Sequence, residues 1–329
     1  MYNSVIRKEE MKMNDNRIEK YTKQFGTRFS RKQKNKFKDE IAKEFSELGY
    51  EMKEIEGRKW LNKAKDYFFG NIKNAKTVIV VPYDTPERKI WNKVFYFPFD
   101  GEKTASKTMA ATFVPIVALY AIILIFVFFG GKMTTNPIMT AMISLIMFLL
   151  LLFLVYFMTH GIRNTKNFTR NSASIIAALD IAEALSKDER KKVGFLFTDK
   201  NKTRYLGADI AGKEFKDAGK NPNIICLDCI GKGSTLQIGY RPQNRKMAQE
   251  VVKCDPNKKN IEVVKIDEGM QFQSAMAHFD KAIVISCGEV DNDGRLYVLG
   301  TGTRKDNKLQ EENLTRVIGM VTNYLHKQK

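Results

Sequence analysis

Apolar residues run through this chain in two rhythms. Helical spacing governs residues 30–49, where Phe37, Ile41, Phe45 and Leu48 share one face between a Ser30 cap and Gly49. It returns over 171–185, with Ile175, Ile176, Leu179, Ile181 and Ala182 on a broad apolar face, then over 206–218, 246–254 and 309–327, with a short helix predicted at 271–279. Between these helices lie brief unbroken apolar runs at 76–82, 193–197, 224–227 and 282–286, the pattern of strands covered on both faces. Segments 50–55 and 66–72 alternate like edge strands, and 235–239 and 261–266 read as further strands. Bare apolar strands alternating with amphipathic helices predict an α/β protein with a mostly parallel sheet and helices on both faces.

Two longer runs break this pattern. Segments 109–129 and 137–159 contain no Asp, Glu, Lys, Arg or His, while their flanks are dense in charge. Each meets the ~20 residues that a helix needs to cross a ~30 Å hydrocarbon layer. Pro115 kinks a helix but is tolerated where neighbours satisfy the freed carbonyl. Buried core helices seldom run this far without a polar stripe, so a transmembrane helical hairpin is expected over 108–159. Arg88, Lys89, Lys93, Lys103 and Lys107 precede it, Arg163, Lys166 and Arg170 follow it, and only Lys132 lies in the connecting loop. The positive-inside bias then places both termini in the cytoplasm, with the cell membrane as location and the lipid bilayer as partner. The hairpin falls between strand 76–82 and helix 171–185, so it interrupts one domain, built from 29–107 and 160–329, rather than joining two. Residues 1–28 read as a basic N-terminal arm, and their charge argues against a signal peptide.

Charge and cysteines narrow the picture further. The chain carries 55 Lys and Arg against 37 Asp and Glu, a net charge of +18 over 329 residues. Basic surface near an anionic leaflet gains about 1 kcal/mol per residue, so contact with anionic lipid is expected. No nucleic-acid recognition motif accompanies the charge, so no specific nucleic-acid partner is expected. Cys226, Cys229, Cys254 and Cys287 are expected reduced in a cytoplasmic domain. Cys226 and Cys229 have metal-site spacing, but they close an apolar strand and no second pair follows, which favours small buried hydrophobes.

The order of short motifs supplies a resemblance. Val80-Val81-Pro82-Tyr83-Asp84 ends the first buried strand, and Arg170-Asn171-Ser172-Ala173-Ser174 opens the helix after the hairpin. Thr198-Asp199-Lys200-Asn201-Lys202 follows the next strand and leads to Tyr205-Leu206-Gly207. Cys226-Leu227-Asp228 with Gly231, then Ala275-Met276-Ala277-His278-Phe279, then Gly302-Thr303-Arg304-Lys305-Asp306 complete the frame. From Ser30 to the C-terminus, hairpin excluded, this order resembles the zinc-dependent exopeptidases of the bacterial leucyl aminopeptidase, glutamate carboxypeptidase and transferrin receptor type. The resemblance implies a three-layer, phosphorylase/hydrolase-like sheet.

It also implies a two-zinc site, and the residues that should build it are replaced. A catalytic zinc centre needs His and carboxylate ligands and a carboxylate base for the bound water. In this frame Pro82 stands for a ligand His, Arg170 for the bridging Asp, Asn201 for the general-base Glu, Lys202 for a ligand Glu and Gly302 for the last His. Asp228 remains as a ligand, with Asp84 as the carboxylate that would orient the missing His. His278, one of three histidines in the chain, lies two residues past the family's His and reads as structural. No zinc and no catalytic residue are therefore expected. Two readings of Arg170 and Lys202 stand side by side: they pair with Asp84 and Asp228 so that side-chain cations replace the metal, or they belong to an unused site that drifted and point to solvent. The expected function is a membrane-anchored, catalytically inactive binding, scaffold or regulatory module with a membrane-associated protein partner. An active membrane-bound aminopeptidase or hydrolase with a non-standard site is the alternative.

Overall fold

The computed structural model describes residues 15–89, 94–130, 136–257, 261–267 and 274–328. The first elements are α1 (Asp15–Glu19) and α2 (Arg31–Glu47). Ser30 caps α2 through a reciprocal box with Gln33, and Gly49 turns the chain at φ +83°. Strands β1 (Met52–Lys59) and β2 (Asn62–Phe69) form an antiparallel hairpin at one sheet edge. β3 (Thr77–Pro82), β5 (Val193–Thr198), β6 (Asn223–Leu227) and β9 (Ala282–Val290) make the centre. β4 (Phe95–Tyr96), β7 (Thr235–Tyr240), β8 (Glu262–Lys265) and β10 (Leu296–Leu299) complete the sheet.

The strand order is β1-β2-β5-β3-β6-β9-β10-β4, with β7 beside β9 and β8 beyond it. Central strands β5, β3, β6 and β9 pair in parallel, as their bare apolar runs predict. The flanks are antiparallel at β1–β2, β2–β5, β9–β10, β4–β10 and β7–β9. The sheet is thus mixed rather than mostly parallel: β10 folds back on β9 through a short turn, β7 pairs with β9 across α8 and β8, and β4 joins β10 from far earlier in the chain.

Side-chain alternation explains the layers. Ile79, Val81, Phe195 and Phe197 enter one core, while Val78, Val80 and Leu196 enter the other. The first core is covered by α2, by α5 (Ala173–Ala184) and by α9 (Glu311–Lys327). The second is covered by α7 (Leu206–Asp217) through Ala208, Ala211 and Phe215. Of two short helices, α6 (Lys187–Arg190) and α8 (Arg245–Val252), the second adds Met247, Ala248 and Val251 to the first core. Only residues 274–279 of the segment expected to be a short helix are described, and Ala275–His278 form a 3-10 turn there.

Residues 15–28 belong to the packed domain. Tyr21 and Arg28 are fully buried, and Arg17 pairs with Asp180 and Glu183 of α5. The high charge of this segment hid its apolar anchors, Ile18, Tyr21 and Phe25, and its ion pairs to α5.

The long apolar runs form α3 (Gly101–Gly130) and α4 (Pro137–His160). Among the described residues, no helix is long and apolar enough to cross a membrane. This overturns the two expected spans and the cell-membrane placement derived from them. The start of α3 is tied to the domain: Phe97 N donates to Thr104 Oγ1 at 2.9 Å, and Lys103 pairs with Asp291 at 2.7 Å. Lys93 and Lys132 lie outside the described residues. Phe113, Tyr120, Ile138, Phe153 and Tyr156 are each more than half exposed, apolar surface that monomers in water rarely concentrate in one place.

Candidate functional site

Parallel pairing fixes where chemistry can gather. Pro82 is in register with Thr198, and Val80 with Cys226, so β3, β5 and β6 end at one sheet edge. Asp84, Asp199–Lys202 and Asp228 leave the strands there, at the crevice where open α/β sheets bind ligands. Arg170 reaches the same edge from a π-turn, Phe168–Ser172, that precedes α5. Of the five non-glycine residues at positive φ among the described residues, Lys200, Arg204, Tyr205 and Cys229 lie around this crevice, which marks it as locally strained.

Arg170 and Asp228 meet. Arg170 Nε lies 3.3 Å from Asp228 Oδ1, and the two side chains are 15% and 11% exposed. Two tyrosines complete the group. Tyr96 donates its hydroxyl to Asp228 Oδ2, the Tyr205 and Tyr96 hydroxyls are 2.9 Å apart, and Arg170 Nη2 donates to Tyr96 at 3.1 Å and Tyr205 at 3.3 Å. The guanidinium also lies 4.1 Å from the Tyr96 ring centroid, within cation–π range. Burial opposes the charge of Arg170, but Tyr96 and Asp228 hold its pKa above the ordinary value. Burial pushes the Tyr205 hydroxyl up to about 12.

The other expected pairings are different. Asp84 accepts from Asn201 Nδ2 at 2.6 Å, and Asn201 also donates to Thr198 O at 2.9 Å. Lys202 pairs with Glu87 instead of either aspartate. Glu87 lies where the chain after the hairpin returns, bridged to Arg163, so it is nearer than the sequence revealed. Pro82 is buried at the end of β3, and Gly302, at φ +75°, accepts from Lys89 N at 2.7 Å. His278 is not in the group: its Nδ1 lies 3.6 Å from Asp209 on α7, and burial lowers its pKa. Cys226 and Cys229 are free and buried, and burial raises both thiols. Two cavities, of about 290 and 700 Å³, are lined by other residues.

Asp306, the last residue of the Gly302 motif, is a buried acid beneath this edge. Its Oδ1 accepts from Thr169 N at 2.8 Å, while Oδ2 has no partner. Burial raises its pKa to about 6. The folded value exceeds the unfolded ~3.9. The fold thus favours the protonated acid, and that stabilisation is complete below about pH 4 and lost as pH rises through about 6. Relative to wild type, the Asp306→Asn variant should gain on the order of 2 kcal/mol in unfolding free energy between pH 4 and pH 7.5. Urea titrations at the two pH values check this; an equal difference at both would mean that Asp306 ionises freely.

Sequence reasoning missed Tyr96, Tyr205, Glu87 and Lys89. A tyrosine in an aromatic run such as Phe95-Tyr96-Phe97 carries no signal beyond core packing, and only the non-local pairing of β4 with β10 brings it to the crevice.

The fold has solved counterparts. Glutaminyl cyclase from Porphyromonas gingivalis superposes with a TM-score of 0.59 at 12% identity, covering 97% of each chain. A Zn-dependent exopeptidase from Parabacteroides distasonis gives 0.56 at 14% identity, covering 96% of each chain. A leucine aminopeptidase precursor from Bacteroides thetaiotaomicron gives 0.55 at 14% identity, covering 96% of this chain and 94% of that one. The fold is that of these enzymes. No family model matches the sequence, and no curated protein does.

Whether the crevice suits zinc depends on its donors. Zinc sites draw on nitrogen, sulfur and carboxylate donors that converge on one point. Among the described residues, no group of three or more His, Cys, Asp or Glu is placed to hold a metal ion. Asp228 has both carboxylate oxygens engaged, by a guanidinium and a phenol. A cation beside that carboxylate repels a second one. These residues do not fit the zinc centre of the exopeptidases.

Proposed function

We propose that this chain is a non-catalytic relative of the exopeptidase and glutaminyl cyclase fold, working as a binding, scaffold or regulatory module. One observation carries the reading. Arg170 stands where the resemblance puts the bridging metal ligand, and its guanidinium neutralises the one remaining ligand, Asp228, at 3.3 Å. A fixed side-chain cation then does the structural work of an ion, holding the strand ends together without an open coordination position for substrate. Asn201, in the position of the general base, is committed to Asp84 and Thr198 and takes up no proton at neutral pH. A peptide or protein segment that lies over the crevice is the proposed partner, read through side chains rather than cleaved.

The test is metal analysis of the full chain purified without chelator, with hydrolysis assays on aminoacyl anilides and a cyclisation assay on an N-terminal glutaminyl peptide. We expect far less than one zinc per chain and no turnover after zinc is added. Stoichiometric zinc, or zinc-dependent turnover that Asp228→Asn abolishes, would establish the alternative of an active hydrolase with a non-standard site.

A further inference from the structure

The β1–β2 hairpin ends in two apolar side chains that stand in solvent. Lys59 and Asn62 are its last cross-strand pair, so Trp60 and Leu61 make a two-residue turn, and they are 89% and 90% exposed. Trp60 takes the first turn position at φ +56°, a region that favours glycine. A large side chain is held there against strain, and Arg58 Nε fixes the turn by donating to Trp60 O at 2.8 Å. The stem beneath is firmly packed. Gly57 lies so close to α7 that a Cβ on it would meet Ile210 Cδ1 at 2.6 Å, and Ile55 and Ala64 are buried. Single exposed apolar residues need no explanation, but an adjacent pair on a strained, anchored turn does.

Register sets where the tip points. β2 runs antiparallel to β5 with Tyr67 opposite Phe197, which brings Asp66 level with Thr198 at the end of β5. The stretch from Lys65 back to Asn62 therefore overhangs the sheet edge by roughly 13 Å, on the side where the crevice opens. Charge follows the same direction. Residues 57–64, Gly-Arg-Lys-Trp-Leu-Asn-Lys-Ala, hold Arg58, Lys59 and Lys63 and no acid. Arg58 stands directly opposite Lys63, a like-charge pair that disfavours the bare tip. Acids approach only from below and beside it. Glu56 pairs with Lys63 at 2.5 Å and is shared with Lys65, while Glu54, lower on the stem, is taken by Lys65 and Lys38. Asp209 of α7 lies 3.8 Å from Lys59 and is shared with Lys213 and His278. The three tip cations thus face two carboxylates, each already shared with a further lysine.

We propose that the Trp60–Leu61 tip docks on an anionic lipid surface. The indole and the leucine enter the headgroup layer, which accommodates both the apolar ring and its N–H. Arg58, Lys59 and Lys63 then meet the anionic headgroups. The contact is peripheral, because two side chains enter and no segment crosses. A protein partner fits less well, since a stable interface buries about 800 Å² on each side and the tip offers two side chains. Because the tip overhangs the crevice side of the sheet, docking turns the crevice toward the lipid. The inference stands whether or not the crevice holds zinc.

The chain has two tryptophans, and Trp91 lies outside the described residues, so a full-length Trp91→Phe variant leaves Trp60 as the sole indole reporter. Its emission is followed on adding vesicles of phosphatidylcholine alone or with one third phosphatidylserine, with a parallel set brominated in the acyl chains. With phosphatidylserine present, Trp60 should shift to the blue and be quenched by bromine. Binding should be at least about tenfold tighter than to phosphatidylcholine alone and should weaken with salt. Arg58→Gln should weaken it about fivefold. Trp60→Gly should weaken it about tenfold or more in vesicle sedimentation, while its melting temperature stays equal or rises as the strained turn relaxes. A lower melting temperature with unchanged sedimentation would make Trp60 a structural residue and overturn the proposal. Unshifted emission with both vesicles, or equal affinity with and without phosphatidylserine, would overturn it too. So would an indole that ignores lipid but shifts as protein concentration rises, which would assign the tip to a second copy of the chain.

Discussion

Replacing Arg170 with alanine is expected to lower the unfolding free energy by about 3–5 kcal/mol, since it leaves a buried carboxylate without its cation. Asp228 would keep the bond from Tyr96 but lose Arg170 Nε, and both tyrosine hydroxyls would lose the shared Nη2 donor. At roughly 2–4 °C per kcal/mol for a domain of this class, the melting temperature should fall by about 10 °C. The double variant Arg170→Met with Asp228→Leu should recover most of that loss, because removing both charges also removes the desolvation penalty. An exposed ion pair on this surface, such as Lys191–Asp188, is screened by solvent, contributes little and serves as the comparison. If Arg170→Ala melts with wild type, the residue is a drifted surface charge and the metal-replacement reading fails with it.

How much of this was readable in advance depends on the range over which each feature is encoded. Runs such as Thr77–Pro82 and Ala282–Val290 declare themselves as buried strands because both faces of each must be apolar. Their ends then place Asp84 and Asp228 at one sheet edge, and the motif order brings Arg170 to the same edge. The choice of partner for Lys202 does not. It depends on Glu87 being brought round by the bridge to Arg163 across the whole hairpin, a contact with no local signature. Tyr96 is hidden for the same reason, on a strand of two residues that propensity cannot detect. The mixed character of the sheet was equally hidden, since the antiparallel pairing of β2, β4 and β7 rests on non-local contacts and not on their apolar pattern. The apolar hairpin shows the converse. Composition spoke loudly there, yet α3 gives its first turns to bonds with Phe97 and Asp291, which hydropathy does not weigh.

Arg28 should prove as costly to remove as Arg170, although it lies in a segment whose composition suggests a dispensable arm. It is fully buried, and burial pushes its pKa down to about 10, the mark of a charge held where water cannot reach it. Its Nε donates to Tyr83 O at 2.6 Å, a second nitrogen donates to Phe25 O, and a third reaches Ser172 Oγ at 3.4 Å. The guanidinium also lies 5.5 Å from the Phe37 ring centroid. It thereby ties α2, the strand end that carries Asp84 and the π-turn that carries Arg170. Arg28→Met keeps the volume but strands two carbonyls, and should cost about 3 kcal/mol. Arg28→Lys should recover little of it, since a single ammonium cannot span three acceptors held in a fork. A chain truncated to begin at Phe29 should fare worse still, because it also loses buried Tyr21 and the pairing of Arg17 with α5. Chemical denaturation of the three proteins decides the matter. If truncation leaves the midpoint unchanged, residues 15–28 are an appendage after all, and the crevice owes its shape to the sheet edge alone.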